Sequence, residues 1–183
     1  SSSARPTDSE AARLAALREY NIVGSAPEEA FDALTALAAQ LCGVPASLIS
    51  LVDDKHVWSK SGYGLPAGDG GPLPRDQFMC SSTVSRCGPV VIADCSKDVR
   101  FAQSPVVAGE PHVRFYCGMP LVNPDGHALG SFCIMDFRPR ELAPEQADVL
   151  RKLARQAASL LELRRSLLEL DRTRLELQDK NRR

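Results

Sequence analysis

Six cysteines and three histidines carry most of the chemistry this chain has to offer. The cysteines stand at positions 42, 80, 87, 95, 117 and 133 with no C-x-x-C pair among them, so no zinc-type ligand set is expected. His56, His112 and His127 lie far apart, and His127 falls in a turn, so neither a haem nor a metal site is expected. There is no nucleophile elbow, phosphate-binding loop or kinase signature, and no catalytic residue is assigned. Gly62-x-Gly64 is followed by Pro66 rather than by a helix, which removes the geometry that cradles a phosphate.

Cys80 is the leading candidate for a working side chain. It lies where a Gly/Pro-rich stretch, 62–74, meets an expected short helix over 78–86, and Ser81, Ser82 and Thr83 follow it. A helix N-terminus favours a thiolate and attracts anions, so Cys80 reads as a redox-active or ligand-contacting thiol, against simple packing with Phe78 and Met79. A redox role would pair it with Cys87 or Cys117. Further candidates to line a ligand pocket are Phe78, Trp58 and the run Arg114-Phe115-Tyr116-Cys117. Strand alternation sends one of Phe115 and Tyr116 into the core. Asp94, Asp98 and Arg100 read as loop-shaping residues through local hydrogen bonds.

The elements that must position these residues belong to an ordinary globular chain. Of 183 residues, 44% are hydrophobic and 25% charged, which excludes a wholly disordered protein. The length suits one domain with an extension. The 22 basic and 23 acidic side chains leave a net charge of −1, so no basic field would draw nucleic acid or an anionic membrane. No apolar run reaches the ~18 residues of a membrane span. No signal-peptide pattern is visible and the chain opens at Ser1, which reads as a module excised from a longer protein. The thiols, with no sequon beside them, are expected to be reduced in a cytoplasmic protein.

Residues 1–9 form a polar lead-in, and Thr7 to Glu10 fit a capping box that opens a short helix ending near Asn21. Ser25-Ala26-Pro27-Glu28 repeats the start signal for a second helix, with Phe31, Leu34, Ala38, Leu41 and Cys42 on its apolar stripe and Gly43 as its stop. Strands follow at 48–52, 57–60, 90–93, 112–122 and 128–136, the last two joined by the turn residues Asn123-Pro124-Asp125-Gly126. Helices, then strands in hairpins, then a helix predict an α+β fold around an antiparallel sheet. From Pro144 one helix is expected to run to the C-terminus. Leu153, Gln156, Leu160, Leu163, Leu167, Leu170, Arg174 and Leu177 alternate gaps of 3 and 4 along it, as coiled-coil seams do. Its length exceeds the radius of a single domain, so the distal half lacks cover of its own. The leucines at 153, 160, 163, 167, 170 and 177 are therefore expected to pair two copies. Leu161, Leu168 and Leu175 form a second stripe.

Several blocks resemble one family in order and spacing. They are Leu17 to Ile22, Pro27 to Asp32, Leu51-Val52-Asp53, Pro74 to Cys80, Val91 to Asp94 with Asp98 to Phe101, Arg114 to Leu121, and Gly126 to Asp136. Together, over about residues 10–158, they are similar to a bacterial GAF domain of the kind that precedes histidine kinases, diguanylate cyclases and phosphodiesterases. The resemblance implies a central antiparallel sheet of about six strands, helices on one face and a ligand pocket under loops on the other. Residues 144–183 would then be a signalling helix continuing into a coiled coil. The implied function is a sensory module, itself not an enzyme, that binds a small molecule or senses redox state. It would relay the signal through a dimeric helix to an output domain outside this chain. The cofactor is unknown. The alternatives are a ligand-free dimerisation module and a GAF-type free methionine sulfoxide reductase using Cys80. Bilin-binding members pair their cysteine with an adjacent histidine; Ser81 stands there instead.

Overall fold

The computed structural model describes residues 8–66 and 72–183. Thr7 of the expected capping box, most of the lead-in and the middle of the Gly/Pro-rich stretch lie outside the described residues. The helices are α1 (Asp8–Glu19), α2 (Glu29–Cys42), α3 (Cys80–Arg86), α4 (Pro105–Ala108) and α5 (Pro144–Arg182). The strands are β1 (Ala46–Val52), β2 (His56–Tyr63), β3 (Leu73–Pro74), β4 (Val90–Ile92), β5 (Phe115–Val122) and β6 (Ala128–Asp136). They form one sheet in the order β3-β2-β1-β6-β5-β4. Every neighbouring pair is antiparallel. The fold is the expected α+β sheet with a long C-terminal helix.

Burial explains the layering. Every residue of β1 and of β6 is buried, so both faces of the sheet's centre are covered. Ile49, Leu51, Phe115, Met119, Leu121, Phe132 and Ile134 point to one face, where α1, α2 and α5 close a first core. Ala46, Leu48, Val57, Tyr116, Cys133 and Met135 point to the other, where Phe78, Met79, Cys80 and Val84 close a second. Period-two alternation separates neighbours in sequence into different cores.

The helix boundaries follow local chemistry with two corrections. Gly43 ends α2 in the left-handed region at φ 63°, as expected of a glycine stop. At the other end the cap position is Glu28, while the Ser25 hydroxyl donates back to the Ile22 carbonyl at 2.6 Å. The buried stripe of α2 is Phe31, Thr35, Ala38, Ala39 and Cys42. Leu41 is 58% exposed, because one residue's rotation from Cys42 carries it off that face.

Two polar anchors tie the helices to the sheet. A register shift pairs Ile49 with Ser61 but Ser50 with Ser59, leaving Lys60 as the extra residue of a bulge. Its ammonium turns inward and donates to Ala26 O at 2.6 Å and Ser25 Oγ at 2.9 Å, with Glu28 Oε2 at 2.5 Å. On α1, the Arg13 guanidinium donates to Val52 O at 2.7 Å and Ala128 O at 3.1 Å, and pairs with Glu10. Arg75 reaches the same Glu10 carboxylate at 2.6 Å. Hydrogen bonds from Arg13 and Arg75 outweigh the burial that opposes them and hold Glu10 down at about 2.

Two outcomes follow. A carboxylate with a depressed folded pKa stabilises fully above its unfolded value near 4.5 and progressively less toward its folded value near 2. Glu10→Gln is therefore expected to flatten the acid limb of a stability profile between those values; an unchanged limb contradicts the anchor. A Cβ on Gly130 would run into the Ser50 carbonyl across the β1–β6 pairing. Gly130→Ala is expected to cost about 2–3 kcal/mol in urea unfolding, as overpacking does; a loss under about 0.5 kcal/mol contradicts this close approach.

Candidate functional site

The face opposite the long helices holds a buried polar knot. Thr83 Oγ1 on α3 is hydrogen-bonded to the Tyr116 hydroxyl at 2.8 Å, and that hydroxyl to Ser131 Oγ on β6 at 3.0 Å. Ser50 Oγ approaches the Ser131 carbonyl at 3.5 Å. Gly118 makes the arrangement possible: a Cβ there would collide with the Tyr116 hydroxyl and the Thr83 hydroxyl oxygen. Tyr116 lies back along its own strand face over that glycine. Its phenol is thereby satisfied in a site that water does not reach.

Cys80 opens α3 beside this knot and is fully buried. Cys133 on β6 shares its core, and Cys133, Ser50, Tyr116 and Ser131 lie close enough to act on its ionisation. Burial opposes ionisation of Cys80, but these neighbours together outweigh it and bring the thiol below its ordinary value. Burial and then the Cys80 thiol push Cys133 well up. Burial likewise pushes Cys95 and Cys117 up to about 12. Cys87 alone among the six is exposed.

The pocket candidates divide between the two faces. Cys80, Phe78 and Tyr116 lie together in the second core. Phe115 and Cys117 do not join them; both are buried in the first core, under α2 and α5, as neighbours of Tyr116 on an alternating strand must be. Cys80 therefore meets neither Cys117, on the opposite face, nor Cys87, at the far end of α3. Arg114 sits half-buried at the rim and donates to Val107 O at 2.9 Å and Val113 O at 3.2 Å. Trp58 points away from Cys80. Its indole N–H donates to Asp53 Oδ2 at 2.6 Å, and its ring lies 3.9 Å from where a Cβ on Gly24 would stand. It braces the β1–β2 turn. Asp94 accepts from Ser96, and Asp98 from Arg100, as loop-shaping residues do.

Two open clefts lie at the sheet margins. One of about 470 Å³ is lined by Asp54, Lys55, Arg75, Asp76, Ser81 and Ser85. The other, about 670 Å³, runs along Val91 to Asp94 with Lys97, Arg140 and Glu141. Neither reaches the buried knot. Among the described residues no group of three or more His, Cys, Asp or Glu is placed to hold a metal ion.

The long helix is the second candidate region. Its first half is core: Leu150, Leu153, Ala154, Ala157 and Leu161 are buried against the sheet and α2. A collar then grips it. Arg164 donates to Tyr20 O at 3.0 Å and Asn21 O at 2.9 Å, and pairs with Glu28 at 2.9 Å. The Tyr20 hydroxyl donates to Glu162, and the Arg165 guanidinium lies 5.6 Å from the centre of the Tyr20 ring. Burial and the Glu162 carboxylate keep that phenol protonated well past its ordinary range. Beyond the collar 17 residues, 166–182, run on as a helix for about 26 Å.

The expected seam is thus split. Leu153 belongs to the domain's own core and Leu160 packs half-buried against it, so neither is free for a partner. Leu163, Leu167, Leu170 and Leu177 are 56, 58, 67 and 56% exposed. Leu37 on α2 and Leu41 add exposed apolar surface that the stripe pattern did not single out. No helix among the described residues is long and apolar enough to cross a membrane.

Comparison with known proteins agrees with this geometry. The GAF domain family profile matches residues 26–161. A cyclic di-GMP phosphodiesterase of Pseudomonas aeruginosa is 32% identical over 160 residues, covering 87% of this chain but 27% of that protein. The chain therefore spans about a quarter of the length of that curated relative. The GAF domain of an Acinetobacter phosphoenolpyruvate-protein phosphotransferase superposes with a TM-score of 0.63 at 16% identity, covering 90% of this chain and 99% of that one. The PixJ GAF domain of Thermosynechococcus elongatus, in its blue-light absorbing form, gives 0.62 at 16% identity, covering 96% and 98%. At such identities these two speak for the fold alone.

Burial makes thiol reactivity a direct test. A bulky disulfide reagent at neutral pH is expected to titrate one thiol in the native protein, Cys87, and six after denaturation. Two or more fast-reacting native thiols would contradict the packing of Cys80 and Cys133.

Proposed function

The chain belongs to the GAF domain family, and from that footing we propose that it is the sensory and regulatory module of a larger signal-transduction protein. In this reading two copies pair through α5, and the helix ends lead into output domains beyond this chain. The module performs no catalysis itself. The observation that carries the proposal is the stem: 17 helical residues beyond the Tyr20–Arg164 collar, with leucines at 167, 170 and 177 left exposed on the seam and Leu163 exposed at the collar itself. Isolated helix of this length is marginal in water, so its stability calls for a partner. A second copy supplies one with matching leucines.

A signal at the sheet could reach the output only by favouring one arrangement of the paired helices over another. The path is short, because β6 leads directly into α5 and the collar ties α5 to the α1–α2 connection. The signal would be a small molecule or a change of redox state, in a cytoplasmic setting. The phosphodiesterase relative favours an output enzyme of cyclic di-GMP turnover. One observation supports a second reading, a dimerisation module without ligand: Met79, Cys80, Tyr116 and Cys133 fill the expected ligand face and are fully buried.

Sedimentation of the purified protein is expected to give a dimer, and Leu163→Glu with Leu167→Glu a folded monomer with unchanged thermal stability of the domain. A variant that stays dimeric overturns the pairing. A native mass spectrum separates the two readings: added non-covalent mass favours the ligand sensor, the bare dimer mass the dimerisation module.

A further inference from the structure

The structure brings together two thiols that sequence spacing kept 53 positions apart, Cys80 and Cys133. Their approach does not depend on one contact. On α3, Cys80 and Thr83 are three apart and so share a helix face; on β6, Ser131 and Cys133 are two apart and share a sheet face. Thr83 is joined to Ser131 through the Tyr116 hydroxyl at 2.8 and 3.0 Å. The second pair, Cys80 and Cys133, lies on those same two faces, and each thiol bears on the other's ionisation. Both are fully buried in one core. Neither thiol belongs to the collar that holds α5.

We propose that Cys80 and Cys133 are a redox pair that closes to a disulfide between α3 and β6. With a hydroperoxide as oxidant, the Cys80 sulfur attacks the outer peroxide oxygen and the O–O bond breaks. The leaving alkoxide takes the thiol proton as an alcohol, or as water from hydrogen peroxide, and Cys80 becomes a sulfenic acid. The Cys133 sulfur then attacks the Cys80 sulfur, forming the S–S bond and releasing hydroxide, which leaves as water with the Cys133 proton. Two thiols and one hydroperoxide give one disulfide, one alcohol and one water. A dithiol reductant reverses the step by exchange.

Burial selects the oxidant. Both sulfurs are inaccessible, so a small peroxide admitted by local opening of the seven-residue α3 reaches them where a bulky reagent does not. The consequence for output rests on the relay proposed above: the disulfide would staple α3 to the strand that leads into α5. The disulfide itself does not rest on that relay.

The experiment uses Cys87→Ser protein, which removes the exposed thiol, treated folded with hydrogen peroxide. It is then denatured in an alkylating agent, digested and weighed. The expected result is a linked peptide joining Cys80 to Cys133, two mass units lighter than its two free-thiol peptides together and abolished by dithiothreitol. In wild-type protein the same linked peptide is expected, which keeps the test independent of the variant's folding. With Cys133→Ser the link should vanish and Cys80 be trapped as a sulfenic acid by dimedone. A link between any other two cysteines, or Cys80 and Cys133 both recovered fully alkylated, overturns the proposal. A disulfide in a protein that stays monomeric would overturn the relay and leave the redox pair standing.

Discussion

Two strands buried on both faces govern this molecule. β1 and β6 have no residue exposed, so every side chain along them must be accommodated by one of two cores. Period-two alternation assigns each residue to its core without regard to its chemistry. Tyr116 thus enters the core under α3 while Phe115 and Cys117, its immediate neighbours, enter the core under the long helices. The polar knot exists because that assignment places two serines, a tyrosine and Cys133 on the side that α3 covers with Cys80 and Thr83. Their polar atoms must satisfy one another, since burial without a partner is costly.

The same constraint shapes the long helix. α5 covers the first core along one stripe, from Leu150 to Leu161. The collar of Tyr20, Arg164 and Glu28 marks the boundary. On one side the helix is held by apolar burial; on the other it carries leucines with nothing of its own domain to meet. The collar is polar for a reason. It spans a rim open to water, where guanidinium groups can donate to helix-end carbonyls without paying full desolvation.

Much of this was legible in the residues. Gly43 after an apolar helix, the turn residues between β5 and β6, and the unbroken helical pattern after Pro144 all specify local geometry, and the helix stop, turn and long helix stand where those signals put them. Where the reading failed, the missing information was rotational. Leu41 fits an apolar pattern as well as Cys42 does, and only the docking angle of α2 decides which is covered. Leu153 and Leu160 fit a heptad seam as well as Leu167 does, but the domain's own sheet claims them first. Residues of one type at correct spacing carry no label saying which surface reaches them.

The sequence by itself determined the class of fold, the order of its elements and the presence of a helix too long for its own domain. Each of these depends on interactions between residues near one another in the chain: caps, turns, and the period of apolar positions. The tertiary structure alone decided which cysteines meet. Cys80 and Cys133 come together because α3 crosses β6, and Cys80 and Cys117 stay apart because a sheet stands between them. Pairings across a sheet depend on register and on which face a strand turns inward. Those are settled only when all the strands pack at once.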